Sequence, residues 1–284
     1  MTQGLAIPRT LAVVLNWCAE ADSAACIASL LADGTPGLEV LIVDNASPDG
    51  SGARLAARFP ALAYLQTGEN LGYAGGNLLA MEWGLARDYD YVLIINDDAE
   101  VRPGCVAALL AAMAKNPKAA ACAPTIVHGP PHEQIVWWAG GRFVPYKALG
   151  VHHHLGDPLA AVPLGDGSPV PVTFLSGCVV LFRASALRVC GGFRAEFFAY
   201  VEDVELGLRL MKAGWALLWV RQALAVHKVP YPAPPASAWA RRHRDRNRRR
   251  LARLHFGWWE RVVFAAWFWP TRVGLWGGRG GRRG

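Results

Sequence analysis

Residues 91–98 of this 284-residue chain have the sequence YVLIINDD, in which an apolar run ends abruptly on one amide and two carboxylates. A short uninterrupted apolar run is typical of a strand that is buried on both faces of a sheet. The polar residues after it then lie at the carboxyl end of the strand, where open α/β sheets bind their ligands. This stretch therefore predicts a parallel sheet and a site at its edge.

The segments around this stretch alternate between strand and helix up to about residue 127. Three more short apolar runs predict strands, at 11–15, 38–43 and 62–65. Segments with helical spacing lie between and after the strands, at 19–32, 52–59, 75–86 and 103–115. Strands separated by helices of this length form parallel sheets with right-handed crossovers. The first half is therefore predicted to be Rossmann-like, with a mostly parallel central sheet flanked by helices.

From about residue 128 the pattern changes to a mixed α+β order. We expect strands at 137–143 and 170–183 and a helix from Glu202 to Ala213. A last strand is expected from Trp215 to Val220, with the chain continuing to His227. This second half is predicted to complete the site that the first half opens.

The composition excludes several classes of protein. With 53% hydrophobic and 18% charged residues, the chain is not disordered. Its six cysteines include no CxxC pair, which excludes a zinc knuckle or a dense disulfide scaffold and favours a reducing compartment. The N-terminus lacks a charged segment followed by a long apolar one, so no signal peptide is expected. We therefore expect a globular protein that faces the cytoplasm.

The C-terminal end of the chain is strongly basic. Residues 240–284 hold 13 basic and 2 acidic side chains, although the whole chain has a net charge of only +7. The apolar run between Arg261 and Arg272 has about 10 residues, whereas a membrane-spanning helix needs ~20. Tryptophans beside a basic face favour an amphipathic helix on an anionic membrane surface. The alternatives are an oligomer contact for the tryptophans and a solvated face for the arginines.

A nucleic-acid-binding function is a further explanation for the arginines. They lie outside the α/β body, and no recognised nucleic-acid-binding module accompanies them. We therefore expect no nucleic-acid partner.

Polar residues follow all four strands of the first half. They are Asn16, residues 44–47, residues 69–77 and residues 96–98. Any one of these could be ordinary turn chemistry, because Asp, Asn and Gly dominate turns. Because the carboxyl ends of parallel strands meet at one edge, the four together predict a nucleotide site.

Two groups of carboxylates predict catalytic chemistry. Asp98 and Asn96 offer oxygen ligands to a divalent cation, and His227 could add a nitrogen, a set that suits Mn²⁺ as well as Mg²⁺. Glu202 and Asp203 begin a helix, whose dipole keeps a carboxylate ionised as a general base requires. Helix capping is the alternative for this pair.

The three histidines at 152–154 are not expected to share a metal ion, because successive side chains of an extended chain alternate.

An ordered set of motifs resembles the inverting glycosyltransferases of family 2, which have the GT-A fold. The nearest subgroup contains the rhamnosyltransferase-like and galactofuranosyltransferase-like enzymes. The resemblance covers about residues 9–256, and its motifs are VDNAS at 43–47, NLGYAGGN at 70–77, NDD at 96–98, GGF at 191–193, FF at 197–198, EDVE at 202–205 and His227.

The resemblance implies a role for each matching residue. The donor nucleotide would be bound by Asn16, Asp44, Asn45, Asn70, Gly72, Asn77 and Asp97. A divalent cation, Mn²⁺ or Mg²⁺, would be held on the donor diphosphate by Asp98, Asn96 and His227. Asp203 would be the catalytic base, and the acceptor would be bound by Trp138, Glu202, Arg246 and Asn247.

The sequence departs from the family pattern at a few positions. Asn96 stands where the first aspartate of the DXD motif is usual, and Arg194 and Ala195 stand where Asp-Glu is usual. These departures leave a catalytically silent nucleotide-sugar-binding protein as an alternative. The QxxRW motif of processive synthases is absent, which favours the addition of one or a few sugars.

Together these observations predict three segments. Residues 1–127 form the nucleotide-sugar-binding half of a GT-A domain, 128–232 its acceptor-binding and catalytic half, and 233–284 a basic, Trp-rich helical extension on the membrane. The predicted enzyme transfers a sugar, with rhamnose as the candidate, from a dTDP- or UDP-linked donor. The acceptor would be a glycan or a polyprenyl-diphosphate-linked glycan in bacterial cell-surface polysaccharide synthesis, at the inner face of the cell membrane. A homo-oligomer is left open.

Overall fold

A computed structural model describes residues 7–163 and 165–271. The helices are α1 (Glu20–Asp33), α2 (Ser51–Arg58), α3 (Gly72–Leu85), α4 (Cys105–Lys115), α5 (Ala184–Cys190), α6 (Glu202–Lys212), α7 (Ala238–His255) and α8 (Trp258–Phe268). The strands are β1 (Thr10–Asn16), β2 (Leu38–Asp44), β3 (Ala63–Gln66), β4 (Tyr91–Ile95), β5 (Ala99–Val101), β6 (Ala119–His128), β7 (Val136–Trp138), β8 (Gly141–Val144), β9 (Leu149–His152), β10 (Val170–Val172), β11 (Val179–Arg183) and β12 (Ala216–His227).

The first half forms the parallel sheet that its sequence predicts. Strands β3, β2, β1 and β4 lie side by side in that order and are all parallel. Every residue of β1 and of β4 is buried, which explains why both are continuous apolar runs. Asn16 pairs with Asp44 across β1 and β2, so the polar strand ends meet at one edge.

The second half extends the same sheet with mixed directions. Strand β11 is antiparallel to β4 and to β6, and β12 runs parallel to β6. The expected single strand at 170–183 is wrong, because β10 and β11 are separate strands that pair with β12 and β4. The expected strand at 137–143 is also wrong. It is divided at Gly140, whose φ of +84° turns the chain from β7 into the separate β8–β9 pair.

The short strand β5 fixes the geometry of the site. Its residue Ala99 pairs antiparallel with His227 at the end of β12. Asp98, the residue before Ala99, is thereby held beside His227, although 129 positions separate the two in sequence. The backbone N–H of Lys228 also donates to the carbonyl of Asp98 at 2.8 Å.

The helices α7 and α8 pack onto the α/β body that contains the sheet. Phe264 and Phe268 of α8 are buried, and the guanidinium of Arg248 lies over both rings. The opposite face of α8 exposes Trp258 and Trp259. None of the helices in residues 7–163 and 165–271 combines the length and apolar character needed to cross a bilayer. Residues 272–284, the rest of the expected basic extension, lie outside the described residues.

Candidate functional site

Two adjoining cavities lie at the carboxyl edge of the sheet. The β1 cavity has a volume of about 540 Å³ and is lined by Leu15, Trp17, Asn45, Asn70, Gly72, Tyr73, Asp97, Phe198, Ala199 and Trp239. The α6 cavity, of about 460 Å³, is lined by residues from α3, β7, β9, α6, α7 and the end of β12, and from the segments that follow β4 and precede β11 and α6. Tyr73 and Ala199 line both cavities, so the two adjoin.

Four of the predicted donor-binding residues line the β1 cavity together: Asn45, Asn70, Gly72 and Asp97. Asn45 connects them, since its Nδ2 donates to Asn70 Oδ1 at 3.1 Å and its Oδ1 accepts from the N–H of Leu71 at 3.0 Å. Gly72 has φ +68°, and a Cβ there would lie 2.5 Å from the carbonyl oxygen of Phe198. Only glycine therefore permits this close approach, which brings the two loops together. The donor-binding roles of the four residues stay predictions.

Asn16 and Asp44 form a buried network behind the β1 cavity. Asn16 has no exposed surface, and its Nδ2 donates to Asp44 Oδ1 at 3.2 Å and to the hydroxyls of Ser47 and Ser51, each at 3.0 Å. The direct donor contact expected of Asn16 is therefore wrong, and this residue braces the strand end. Asp44 is 3% exposed and also accepts from Gln66 Nε2 at 3.2 Å. Its donor contact stays a prediction that requires one of these bonds to be exchanged.

Asn77 is likewise absent from the cavity walls. It has no exposed surface, and its Nδ2 donates to the carbonyl oxygen of Tyr73 at 3.0 Å within α3. The expected contact between Asn77 and the nucleotide is therefore wrong. Residues 72–77 form the first turns of a buried helix, so only the start of the glycine-rich motif faces the cavity.

Glu202 and Asp203 line the α6 cavity at the start of α6. Asp203 Oδ2 accepts from the N–H of Gly177 at 3.0 Å, and its Oδ1 accepts from the N–H of Val204 at 2.7 Å. Burial raises the pKa of Asp203, and these two N–H groups oppose that rise. Burial raises the pKa of Glu202 well above its usual range, and the charge of Asp203 raises it further.

Both shifts favour a proton shared by the two carboxyl groups, and the stronger rise is that of Glu202. No protein group bonds Glu202 Oε2 within the described residues. An ionised carboxylate beside a neutral carboxylic acid can accept a proton from a hydroxyl group in the cavity.

Two of the three predicted metal ligands also line the α6 cavity, and the third, Asp98, lies beside one of them. Asn96 and His227 line it, and His227 Nε2 lies 3.1 Å from Asp98 Oδ1. Burial alone would raise the pKa of Asp98, but the hydrogen bond and charge of His227 lower it below the ordinary value. Burial and the charge of Asp98 raise the pKa of Asp97 to about 7.

These side chains fit a divalent cation. Asn96 Oδ1 is buried and has no hydrogen-bond partner among the described residues, as is expected of an oxygen that awaits a ligand. An amide oxygen, a carboxylate and an imidazole are donors that Mn²⁺ accepts. In residues 7–163 and 165–271 no group of three His, Cys, Asp or Glu side chains is arranged around one point. The set therefore depends on Asn96 and on oxygens from a bound diphosphate.

Three of the predicted acceptor residues are placed differently from expectation. Trp138 is fully buried, so its contact with an acceptor is wrong, and Trp137 lines the α6 cavity instead. The ring of Trp137 meets His227 edge-on at 4.4 Å between centroids. Arg246 is exposed and outside the cavity, whereas Arg244 lines it. Successive side chains of a strand point to opposite faces, and successive side chains of a helix point in different directions around its axis. An error of one or two residues therefore selects a side chain that does not line the cavity.

Asn247 braces the site rather than binding an acceptor, so its predicted acceptor contact is wrong. It is fully buried, and its Nδ2 lies 2.6 to 2.9 Å from the carbonyl oxygens of Phe197, Ala199 and Tyr200. Phe198, Tyr200 and Val201 all have positive φ, which is costly for a β-branched residue such as Val201 (+75°). Asn247 thus fixes the strained turn that leads directly into Glu202 and Asp203.

The residues missed by sequence reasoning are mostly aromatic. Trp17 and Trp239 line the β1 cavity, and Tyr73 lies between the two cavities and donates to the carbonyl oxygen of Gly177 at 2.7 Å. Trp17 directly follows Asn16 at a strand end, which was an available signal. Arg244 lies three residues before Asn247, and residues three apart in a helix share a face. The inward-facing Asn247 could therefore have indicated that Arg244 also faces the site.

Comparisons with known proteins identify the family to which this chain belongs. The sequence profile of Glycosyl transferase family 2 matches residues 14–153, and that of Glycosyl transferase family group 2 matches residues 91–278. The N-acetylglucosaminyl-diphospho-decaprenol L-rhamnosyltransferase of Mycobacterium tuberculosis is 34% identical over 240 residues, which cover 78% of this chain and 77% of the relative. A galactofuranosyltransferase of the same species is 28% identical, over 62% of this chain and 55% of the relative.

A solved structure supports the fold. Crystalline GalNAc-T7 with UDP, GalNAc and Mn²⁺ superimposes with a TM-score of 0.70 over 94% of this chain, at 14% identity. This chain spans about half, 51%, of that protein. The shared GT-A architecture confirms the predicted fold class.

Replacing Asn247 by alanine should loosen the turn at 197–201. Three backbone carbonyls lose their donor, so we expect the free energy of unfolding to fall by about 1–3 kcal/mol. Thermal or urea unfolding measures the change. Arg246→Ala is the matched control, because its side chain is exposed on the same helix, and it should change stability by less than about 0.5 kcal/mol. Equal stability of the two variants would contradict the bracing role of Asn247.

Proposed function

Since this chain belongs to glycosyltransferase family 2 and is a glycosyltransferase, we propose that it transfers a sugar from a nucleotide donor to an N-acetylglucosaminyl-diphospho-polyprenol acceptor with inversion. The name of the 34% identical relative supports rhamnose as the sugar and the lipid-linked acceptor. The single observation that carries the chemistry is that Asp203, Asn96 and His227 line one cavity.

The β1 cavity is proposed to bind the nucleotide of a dTDP- or UDP-linked donor. Its amides Asn45 and Asn70 offer donors and acceptors to a base and ribose, and the exposed ring of Trp17 offers a stacking surface. The donor diphosphate would extend to Asn96, Asp98 and His227, which would hold Mn²⁺ or Mg²⁺. When bound, this cation neutralises the negative charge that grows on the departing nucleoside diphosphate.

The α6 cavity is proposed to bind the acceptor. Asp203 takes the proton from an acceptor hydroxyl while the oxygen of that hydroxyl forms a bond to the anomeric carbon of the donor. The bond from that carbon to the diphosphate breaks on the opposite side, and its electron pair leaves with the nucleoside diphosphate. Attack from the opposite side inverts the configuration.

Replacing Asp203 by asparagine should abolish transfer without abolishing donor binding. The amide cannot take a proton, and a general base contributes about 10²- to 10⁴-fold to the rate. Transfer is measured with radiolabelled nucleotide sugar, and donor binding by the thermal shift with a nucleoside diphosphate and Mn²⁺, compared with EDTA.

Asp88→Asn is the control, because its side chain is 91% exposed, in an ion pair with Arg188 away from both cavities. Transfer by Asp203→Asn at the wild-type rate would overturn the role of Asp203. A thermal shift of equal size in Mn²⁺ and in EDTA would overturn the metal site.

The pH dependence of kcat should reveal the raised pKa of Asp203. Only the ionised form accepts a proton, so kcat should rise with pH along an acidic limb. Because burial raises this pKa, the midpoint of the limb should lie above the ordinary value of 3.8. Glu202→Gln imitates the protonated state of Glu202 and should keep the limb. A midpoint at or below 3.8, or loss of the limb in Glu202→Gln, would contradict this assignment.

We also propose that α7 and α8 hold the enzyme on the inner face of the cell membrane. The outer face of α8 exposes Trp258, Trp259 and Val262, which are 76%, 61% and 50% exposed. Arg242 and Arg246 are exposed on the neighbouring helix α7. Aromatic and aliphatic side chains beside arginines complement an anionic lipid surface. Each arginine near such a surface adds about 1 kcal/mol to the free energy of membrane binding. A lipid-linked acceptor would be reached from this position.

Replacing both Trp258 and Trp259 by alanine should weaken binding to anionic vesicles about tenfold or more, because two large apolar groups no longer enter the interface. Flotation with phosphatidylglycerol vesicles measures this. Val189→Ala is the control, since Val189 is 72% exposed on α5. Unchanged flotation of the double variant would overturn the proposal. A wild-type dimer that the double variant dissociates would instead assign this face to a second copy.

A further inference from the structure

The α6 cavity has a single arginine among its described lining residues, Arg244 of α7. Burial raises the pKa of Tyr200, and the charge of Arg244 opposes that rise. Tyr200 is 42% exposed and also lines the cavity. Arg244 is therefore at the open side of the cavity, and Asp203 is inside it.

The charge of Arg244 is uncompensated. Within residues 7–163 and 165–271 it has neither an ion pair nor a hydrogen-bond acceptor. Other arginines of α7 are occupied: Arg248 pairs with Asp245 at 3.2 Å, and Arg250 donates to the carbonyl of Glu196. A half-buried guanidinium without a partner is unfavourable unless a ligand supplies the negative charge.

The lining of the α6 cavity that Arg244 shares with Asp203 is largely apolar. Trp137, Leu149 and Phe174 contribute aromatic and aliphatic surface, and Gly150 adds backbone to it. Such a wall suits the faces of a sugar ring, whereas a guanidinium forms bidentate hydrogen bonds with phosphate oxygens. The cavity thus offers a base for a hydroxyl, a surface for a ring and a cation for a phosphate.

We propose that Arg244 binds the diphosphate of the acceptor, the group through which the accepting sugar is attached to its lipid. This inference rests on the proposed function. It gives the enzyme a means of distinguishing a sugar diphosphate from an uncharged glycoside. The donor diphosphate is a less suitable partner, because it is proposed to lie at Asn96, Asp98 and His227, where a divalent cation would supply its counter-charge.

The test compares two soluble acceptors in a neutral detergent without phospholipid. One is N-acetylglucosaminyl diphosphate on a short alkyl chain, and the other is the same sugar on the same chain without the diphosphate. Arg244→Gln should raise KM for the first acceptor about tenfold or more, and leave KM for the second acceptor and for the donor unchanged. Arg244→Lys keeps the charge and should recover part of the loss. Arg253→Gln, exposed on the same helix, is the control and should change nothing.

Several results would overturn the inference. An equal loss with both acceptors would mean that Arg244 only shapes the cavity, and a raised donor KM would assign it to the donor. A loss that is seen only when anionic vesicles are added would assign it to a phospholipid headgroup.

Calorimetric binding of the diphosphate probe separates this inference from the proposed reaction. If wild type binds the probe and Arg244→Gln does not, but neither transfers sugar, the reaction fails and the inference stands. If wild type transfers sugar and both proteins bind the probe equally, the inference fails and the reaction stands.

Discussion

The pairing of β5 with the end of β12 is the constraint on which the site depends. It joins the turn after β4 to the last strand of the sheet and holds Asp98 at 3.1 Å from His227. Strand β11, inserted antiparallel between β4 and β6, brings Gly177 and Cys178 to the same edge. The N–H of Gly177 then fixes Asp203, and the carbonyl of Cys178 accepts from the N–H of Asn96 at 2.8 Å. Asn96 of the predicted metal site and the proposed base Asp203 are thus both hydrogen-bonded to the backbone of residues 177–178.

The buried carboxylates of α6 differ in whether a cationic side chain lies beside them. Glu205 has no exposed side-chain surface, yet its pKa is lowered, because hydrogen bonds from His255 and Arg209 and the nearby charge of Arg194 outweigh its burial. Glu202 and Asp203 on the same helix have no ion-pair partner in the part of the chain that the structure describes, and burial raises the pKa of both. The cations beside Glu205 compensate the cost of its burial, whereas Glu202 and Asp203 face the α6 cavity and are candidates for chemistry. The first turn of α6 therefore carries both a structural ion-pair group and the proposed reactive pair.

The basic extension is connected to the catalytic machinery through α7. Asn247 holds the strained turn before α6, Arg248 donates to the carbonyl of Lys147 at 2.7 Å, and Arg244 reaches the α6 cavity. The exposed arginines and tryptophans lie on the outer surface of the same two helices. A proposed membrane surface and a proposed acceptor cavity would thus be only one helix apart. This arrangement would present a lipid-linked sugar to Asp203 without removing its lipid from the bilayer.

The sequence by itself determined the parallel first half, the α6 helix and the edge that carries the site. These features depend on local patterns: apolar runs specify buried strands, and the residue after a strand lies at its end whatever the rest of the chain does. Four donor-side residues and the Asn96, Asp98 and His227 group were predicted from such positions, and the structure brings each group together.

Only the tertiary structure decided which side chains face the cavities. Asn16, Asn77 and Trp138 are buried, and Trp137 and Arg244 line the α6 cavity instead of Trp138 and Arg246, because strand and helix faces are selected by packing against distant residues. The division of 170–183 into β10 and β11 depends on pairing with β12 and β4, which no local pattern specifies. Side-chain direction and strand pairing arise from long-range contacts, and a sequence pattern records only short-range ones.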